Sequence, residues 1–444
     1  MSSTLRPGDP TAGATPGNAS TPSAPASEAT DAIVLADAVV AESLGQYTRG
    51  WWKRVRSGQS GILPVLAGLV LLVIVFQVLN SNFLTPANLT NLMTQGAPYV
   101  LLGFAEVFVL LLGEIDLSIG YIAGIAATVT LQLATYPNPI SWWLAVLAGL
   151  AAAAFLGLVQ GLLITKLGLP SFVVTLGGLL GFEGVMLYML NNNSASTGGT
   201  VSITNNILSD IVNGNLSNTV GWILMIAIVV IFGGFFWSRD QRRRRAGLSA
   251  PPPGLTLLKI LAMAVAGVVV VAICNTNRGR GTPFSGVPWV VPIVLAVLVG
   301  WTFLLGRTRY GRYVYAIGGN AEAARRAGIN LGRIRTTAFV LTALTAGAAG
   351  IVYASQLGSI STSVDGGTLV LDAVAAAVIG GTSLFGGRGR MLHALVGGII
   401  IAAIANGMGL LGLSAAAQYM ITALVLVAAV TVDALSRRGA TPTR

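Results

Sequence analysis

Runs of about 18 or more apolar residues recur along most of this chain, and a helix of that length matches the hydrocarbon thickness of a bilayer. Backbone polar groups in lipid must be satisfied within their own segment, so such runs can only fold as helices. Composition agrees: 54% of the 444 residues are hydrophobic and 9% are charged, against roughly 25% charged in ordinary soluble domains. The expectation is an all-α, polytopic transmembrane helical bundle. Its aqueous segments are too short to hold a separate globular domain.

The runs fall at residues 62–79, 97–113, 119–135, 140–165, 172–190, 220–237, 255–273, 289–305, 336–357, 369–384, 391–411 and 416–435. The count is about 12, in a range of roughly 10–14, because short Gly-rich runs can re-enter rather than cross. The polar stretch with Pro86, Asn88 and Asn91 reads as a short interfacial helix before the second run. Residues 191–219, rich in Asn, Ser, Thr and Gly, read as a loop. Residues 1–46 have the composition of a disordered tail and no apolar stretch near the start that would make a cleavable signal. The transmembrane domain then covers 47–438. It begins at a collar of Trp51, Trp52, Lys53, Arg54 and Arg56, and a short tail, 439–444, follows it.

Charge tests this count. The formal net charge is +11, but no soluble domain carries it, which argues against a nucleic-acid partner. If twelve spans alternate and both termini are cytoplasmic, all but two of the 26 Lys and Arg residues fall on the cytoplasmic side; the exceptions are Arg278 and Arg280. That is the asymmetry expected of a multi-pass protein of the cell membrane.

The segment between the eighth and ninth runs is the best punctuated of the aqueous connections. Within RTRYGRYVYAIGGNAEAARRAGINLGRIR, Asn320 is a good N-cap, Glu322 falls in the first helical turn, Arg325 and Arg326 in the last, and Gly328 is placed to end the helix. Two readings stay open here: a solvated loop whose arginines fix topology, or a docking element for a soluble partner.

Five carboxylates stand in or near apolar runs, where each costs about 2.5–3.5 kcal/mol to insert: Glu106, Glu114, Asp116, Glu183 and Asp372. Glu106 and Glu183 lie inside spans and must face protein or water. Glu114 and Asp116 lie in GEIDLSIG, where Gly113 and Gly120 bracket a break. Asp116 or Ser118 capping the next helix would account for that pattern; a broken helix lining a translocation path would too. Asp372 opens a Gly-rich run, AVAAAVIGGTSLFGGRGR. There is no GxxxxGK[ST] to bind ATP, and the lone Cys274 and lone His393 leave no disulfide framework, metal cluster or catalytic triad. Deep carboxylates keep a proton- or ion-coupled secondary transporter open as the alternative.

GEIDLSIG, RTRYGRYVYAIGGNAEAARRAGIN and AAVIGGTSLFGGRGR, in that order, resemble the membrane permease subunits of bacterial ABC importers for pentoses and related sugars, over about 82–438. The ribose and D-xylose permeases are the nearest types, and the extra segment at about 220–287 is similar to the two added spans of the D-xylose type. The resemblance implies a translocation subunit that is not itself an enzyme and binds no cofactor, with ATP held by a separate cytoplasmic ATP-binding subunit. It implies an extracytoplasmic sugar-binding protein and a permease homodimer in membrane lipid. The coupling loop would comprise Arg312, Asn320, Glu322, Arg325, Arg326 and Gly328, and the five carboxylates would be candidates for the path. The chain departs from the family at Glu114, where Gly is common, and in its longer amino-terminal tail.

Overall fold

The computed structural model describes residues 63–135, 138–248, 250–279 and 284–438. The expected tails, the collar at 51–56 and Arg280 lie outside the described residues. In chain order come helices α1 (Leu63–Leu79), α2 (Pro86–Leu110), α3 (Ile119–Ala134), α4 (Trp142–Lys166) and α5 (Ser171–Asn191), then strand β1 (Thr200–Ser202) and helix α6 (Asn206–Asn213). Next are α7 (Asn218–Arg245), α8 (Pro253–Asn275), α9 (Val290–Arg307), α10 (Arg309–Gly319), α11 (Ala321–Arg326) and α12 (Leu331–Leu357). Strand β2 (Ser359–Ser361) and helices α13 (Gly366–Ile379), α14 (Met391–Leu410) and α15 (Ala415–Arg438) complete the chain. Among the described residues, eight helices are long and apolar enough to cross a membrane: α2, α4, α5, α7, α8, α9, α12 and α14. α1, α3 and α13 are shorter apolar helices.

The centre is built from α2, α3, α4, α12, α13 and α14, which pack on one another more than on anything else. Lipid tails are as apolar as leucine, so association here depends on close backbone approach and buried polar contacts rather than on water exclusion. Small residues supply the approach: a Cβ on Gly350 of α12 would overlap the carbonyl of Ala123 on α3. Polar contacts add to it. Thr342 on α12 donates to the carbonyl of Ala105 on α2 at 3.0 Å. Asn406 on α14 donates to Asn88 and to Gln95 on α2, each at 3.1 Å.

That amide cluster corrects the reading of Pro86, Asn88 and Asn91 as a separate interfacial helix. Thr85 caps the helix at the Asn88 amide, 3.4 Å away, with Pro86 in the first turn, and the helix runs on unbroken to Leu110. Asn88 is polar because it meets Asn406, not because it meets water. Other expected loops also carry structure. The 191–219 segment contains β1 and α6, and β1 pairs antiparallel with β2 in the register Thr200↔Ser361. The basic loop after the eighth run contains α10, capped by Thr308 on the Gly311 amide at 3.2 Å.

Candidate functional site

The bundle has two ends. One carries α10 and α11, the C-terminal ends of α2 and α4 and the N-terminal end of α12, where Thr165 and Thr336 meet at 3.0 Å. The other carries β1, β2 and α6, which docks on the end of α12 through Val212 and Asn213 bonded to Ser355.

At the first end the three sequence motifs come together. The amide of Gly387, from the 380–390 connection, donates to the carbonyl of Leu111 at 2.9 Å. Gly318, at the end of α10, lies against the same carbonyl, where a Cβ would overlap it. Tyr315 on α10 donates its hydroxyl to the Gly389 carbonyl at 2.8 Å. Burial pushes the Tyr315 hydroxyl above its ordinary pKa, partly offset by Arg390 nearby, so the phenol keeps the proton it donates. Glu114, its side chain nearly buried, forms an ion pair with Arg335 of α12 at 2.9 Å. Both non-helical connections, 111–118 and 380–390, are therefore tied to neighbouring elements, although Gly113, Phe385, Arg388 and Arg390 stay exposed. At 1.5 Å per residue, the 14 residues of α13 reach only about 21 Å.

On this junction sits α11. Asn320 caps it, accepting from the Ala323 amide at 2.9 Å. Glu322 pairs with Arg325 at 2.6 Å and with Arg326 at 3.2 Å. Gly328 has φ +82, and the bonds Gly328 N–H to Arg325 O and Ile329 N–H to Ala324 O close the helix in the double-bonded left-handed cap. The expected punctuation of this helix is thus present. Arg312 is exposed on α10, and Glu322, Arg325 and Arg326 are exposed on α11. The result is a cationic foot of short helices locked to the break in GEIDLSIG and to the Gly-rich connection.

The five carboxylates separate. Asp116 does not cap α3. Its Oδ1 instead accepts from the Ser118 amide at 2.9 Å and the Ser118 hydroxyl at 2.6 Å, while Gln160 of α4 donates to that hydroxyl at 2.7 Å. Ser118, at the N-cap position, makes no side-chain cap bond. Glu106 is buried beneath, its Oε1 accepting from the Asp116 amide at 3.3 Å. Glu114 is held by Arg335. Glu183 on α5 stands beside Tyr121 of α3. Asp372 alone of the five lines the large cavity, about 650 Å3, on the other half of the bundle.

That cavity lies between α2, α12, α13, α14 and α15. Its polar lining includes Tyr99, Tyr353, Asp365, Asp372, Gln418 and Tyr419. Asp365 caps α13 through the Thr368 amide at 3.1 Å. Asp372, seven residues on, lies two turns deeper along the same helix face. Sequence reasoning missed Arg335, which is one arginine among many on a basic loop, and the three tyrosines, which stand singly in separate runs. Nothing local distinguishes them; only folding brings them to one place.

Comparison with known proteins decides the family. The branched-chain amino acid transport system permease component family matches residues 88–430. This chain is a member of that permease family. The xylose transport system permease protein XylH of Escherichia coli K12 is 32% identical over 396 residues, covering 88% of this chain and 96% of that protein. XylH of Haemophilus influenzae is 33% identical over 361 residues, covering 80% and 91%. The ribose import permease protein RbsC of Escherichia coli K12 is 29% identical over 387 residues, covering 87% and 95%. No solved structure matches. The chain is a multi-helix membrane permease, as the sequence resemblance led one to expect.

Proposed function

We propose that this permease is the translocation subunit of an ATP-driven importer for a monosaccharide of the xylose type, and that α11 is where the ATP-binding subunit presses on it. One observation carries the proposal: three motifs far apart in sequence are bonded together through α10 and the start of α12, the elements that flank α11. A push on α11 would reach α12 through the short connection at 327–330. From Arg335 it would pass to the break before α3, and from Gly318 and Tyr315 to the connection before α14. Rigid elements joined in this way move as units. The chain itself hydrolyses nothing; the work comes from the partner.

Several finer points belong to the same reading. Counting α1, α3, α13 and α15 with the eight longer helices gives twelve alternating passes, with both termini on the side of the cationic foot, the cytoplasmic side by charge. An extracytoplasmic sugar-binding protein would meet the β1, β2 and α6 end. The cavity wall includes Leu371 and Tyr419, 59% and 56% exposed, beside Asp372. A carboxylate at this depth is costly against lipid, so a second copy of the permease covering this flank fits better than hydrocarbon.

The test is reconstitution of the chain with its ATP-binding subunit and binding protein, followed by D-xylose uptake into proteoliposomes. Uptake should require ATP. Gly328→Val, which forces a branched side chain into a left-handed backbone, should abolish uptake and release the ATP-binding subunit on purification. Unchanged uptake with the partner retained overturns the docking role. Uptake that needs no nucleotide and collapses with an uncoupler marks ion-coupled transport instead.

A further inference from the structure

The polar cavity has a lopsided chemistry. Its lining includes two carboxylates, Asp365 and Asp372, and three tyrosines, Tyr99, Tyr353 and Tyr419, with Gln418 beside them; no Lys, Arg or His is among the described residues that line it. Asp365 is engaged as the cap of α13. Asp372 has no hydrogen-bond or ion-pair partner among the described residues, although it lies two turns inside the bundle. Asp372 is half-buried, on the wall of the cavity, so its two oxygens are free to accept hydrogen bonds from whatever occupies that space. The volume, about 650 Å3, lies within the roughly 300–1,000 Å3 typical of small-molecule pockets.

From this we infer that the cavity is a binding station for a neutral polyhydroxylated ring, with Asp372 accepting two adjacent hydroxyl groups, and that the same carboxylates exclude anionic sugars. The inference rests on the importer reading and adds to it a location and a selectivity filter. A carboxylate has two acceptor oxygens and takes a pair of neighbouring donors, and such charge-assisted bonds are roughly twice as strong as neutral ones. The tyrosines offer apolar ring faces to the C–H side of a sugar and hydroxyls to its rim. A sugar acid or sugar phosphate would bring a like charge to Asp372 and Asp365 with no cation to offset it. Repulsion of that kind is how a site rejects a competitor it could otherwise fit.

The chain's single cysteine permits a direct test that needs no ATP-binding subunit. Cys274 is buried. In a Cys274→Ala background, single reporters are placed on the cavity wall as Thr422→Cys and, separately, Ser361→Cys, with Ser194→Cys on the exposed loop as the reference. The full-length variants in lipid nanodiscs are then treated with matched cationic and anionic methanethiosulfonates. Relative to the reference, the cationic reagent should modify the wall cysteines roughly tenfold or more in excess of the anionic one, the scale of field focusing in a cleft of one sign. Asp372→Asn should shrink that excess severalfold, and Asp365→Asn should shrink it less. D-xylose should slow wall labelling, whereas D-glucuronate should not. Equal rates for the two reagents overturn charge exclusion, and labelling indifferent to D-xylose overturns the binding station. Either result leaves the importer reading to its own uptake assay, and two reporters guard against one that fails to fold.

Discussion

Compare the centre of this bundle with the hairpin of α7 and α8. Both are helical, apolar and long enough to span a bilayer. In the most apolar stretch of α2, 72% of residues are buried within the protein, and 67% in α12 and in α14; in α7 and α8 the share is 11%. Apolarity alone does not draw a helix into the protein, since the hairpin is both the more apolar region and the less buried one. What separates them is the supply of small and polar contacts, around which the centre also buries large side chains such as Leu101, Phe104 and Phe108. The centre buries alanines and glycines together with Glu106, Asp116, Gln160, Thr342 and Asn406, whereas the hairpin turns Ile223, Val230, Ile231, Leu257 and Val265 outward. In a solvent that is itself hydrocarbon, large aliphatic side chains gain nothing by leaving it, and small or polar ones do the packing.

Four single substitutions, one of them paired with a rescuing change, would break or sharpen that contrast. The largest effect is expected from Gly350→Leu, which drives a side chain into the Ala123 backbone; a loss of about 3 kcal/mol or more should appear as failure to give a monodisperse peak in detergent. Next comes Arg335→Ala, which leaves Glu114 buried without its cation. Loss of a partner from a fully buried pair costs about 3–5 kcal/mol, and the partial exposure of Arg335 should bring this nearer 2. Adding Glu114→Gln should recover part of it in thermal unfolding, and a double variant no better than Arg335→Ala would show that the pair is not coupled. Asn406→Leu removes the bonds to Asn88 and Gln95 and should cost about 1 kcal/mol, the scale of a polar contact between membrane helices. Gly234→Leu, on the hairpin with open space around it, should shift stability by less than about 0.5 kcal/mol. An effect as large as that of Gly350→Leu would mean that the hairpin face is a protein interface.

Legibility followed the same divide. The helices could be read because a hydrocarbon solvent constrains backbone pairing so strongly that apolar length alone implies them. The caps of α11 could be read because Asn320, Glu322 and Gly328 act within one or two turns. Longer-range relations could not. The polarity of Asn88 was mistaken for a sign of the membrane surface because its partner, Asn406, is more than three hundred residues away. Asp116 looked like a helix cap because it stands before α3, yet it turns to Ser118 and, through it, to Gln160 of α4.

The sequence by itself determined that this chain is a membrane bundle, roughly where most of its apolar helices lie, and that one connection ends in a short basic helix. Each of these depends on residues close along the chain or on the character of the solvent around it. Only the tertiary structure decided that three distant motifs form one foot, that Glu114 answers to Arg335, and that Asp372 alone of the five carboxylates lines the large cavity. Those outcomes depend on which backbones can approach closely, and that is a property of pairs of helices, which no single segment encodes.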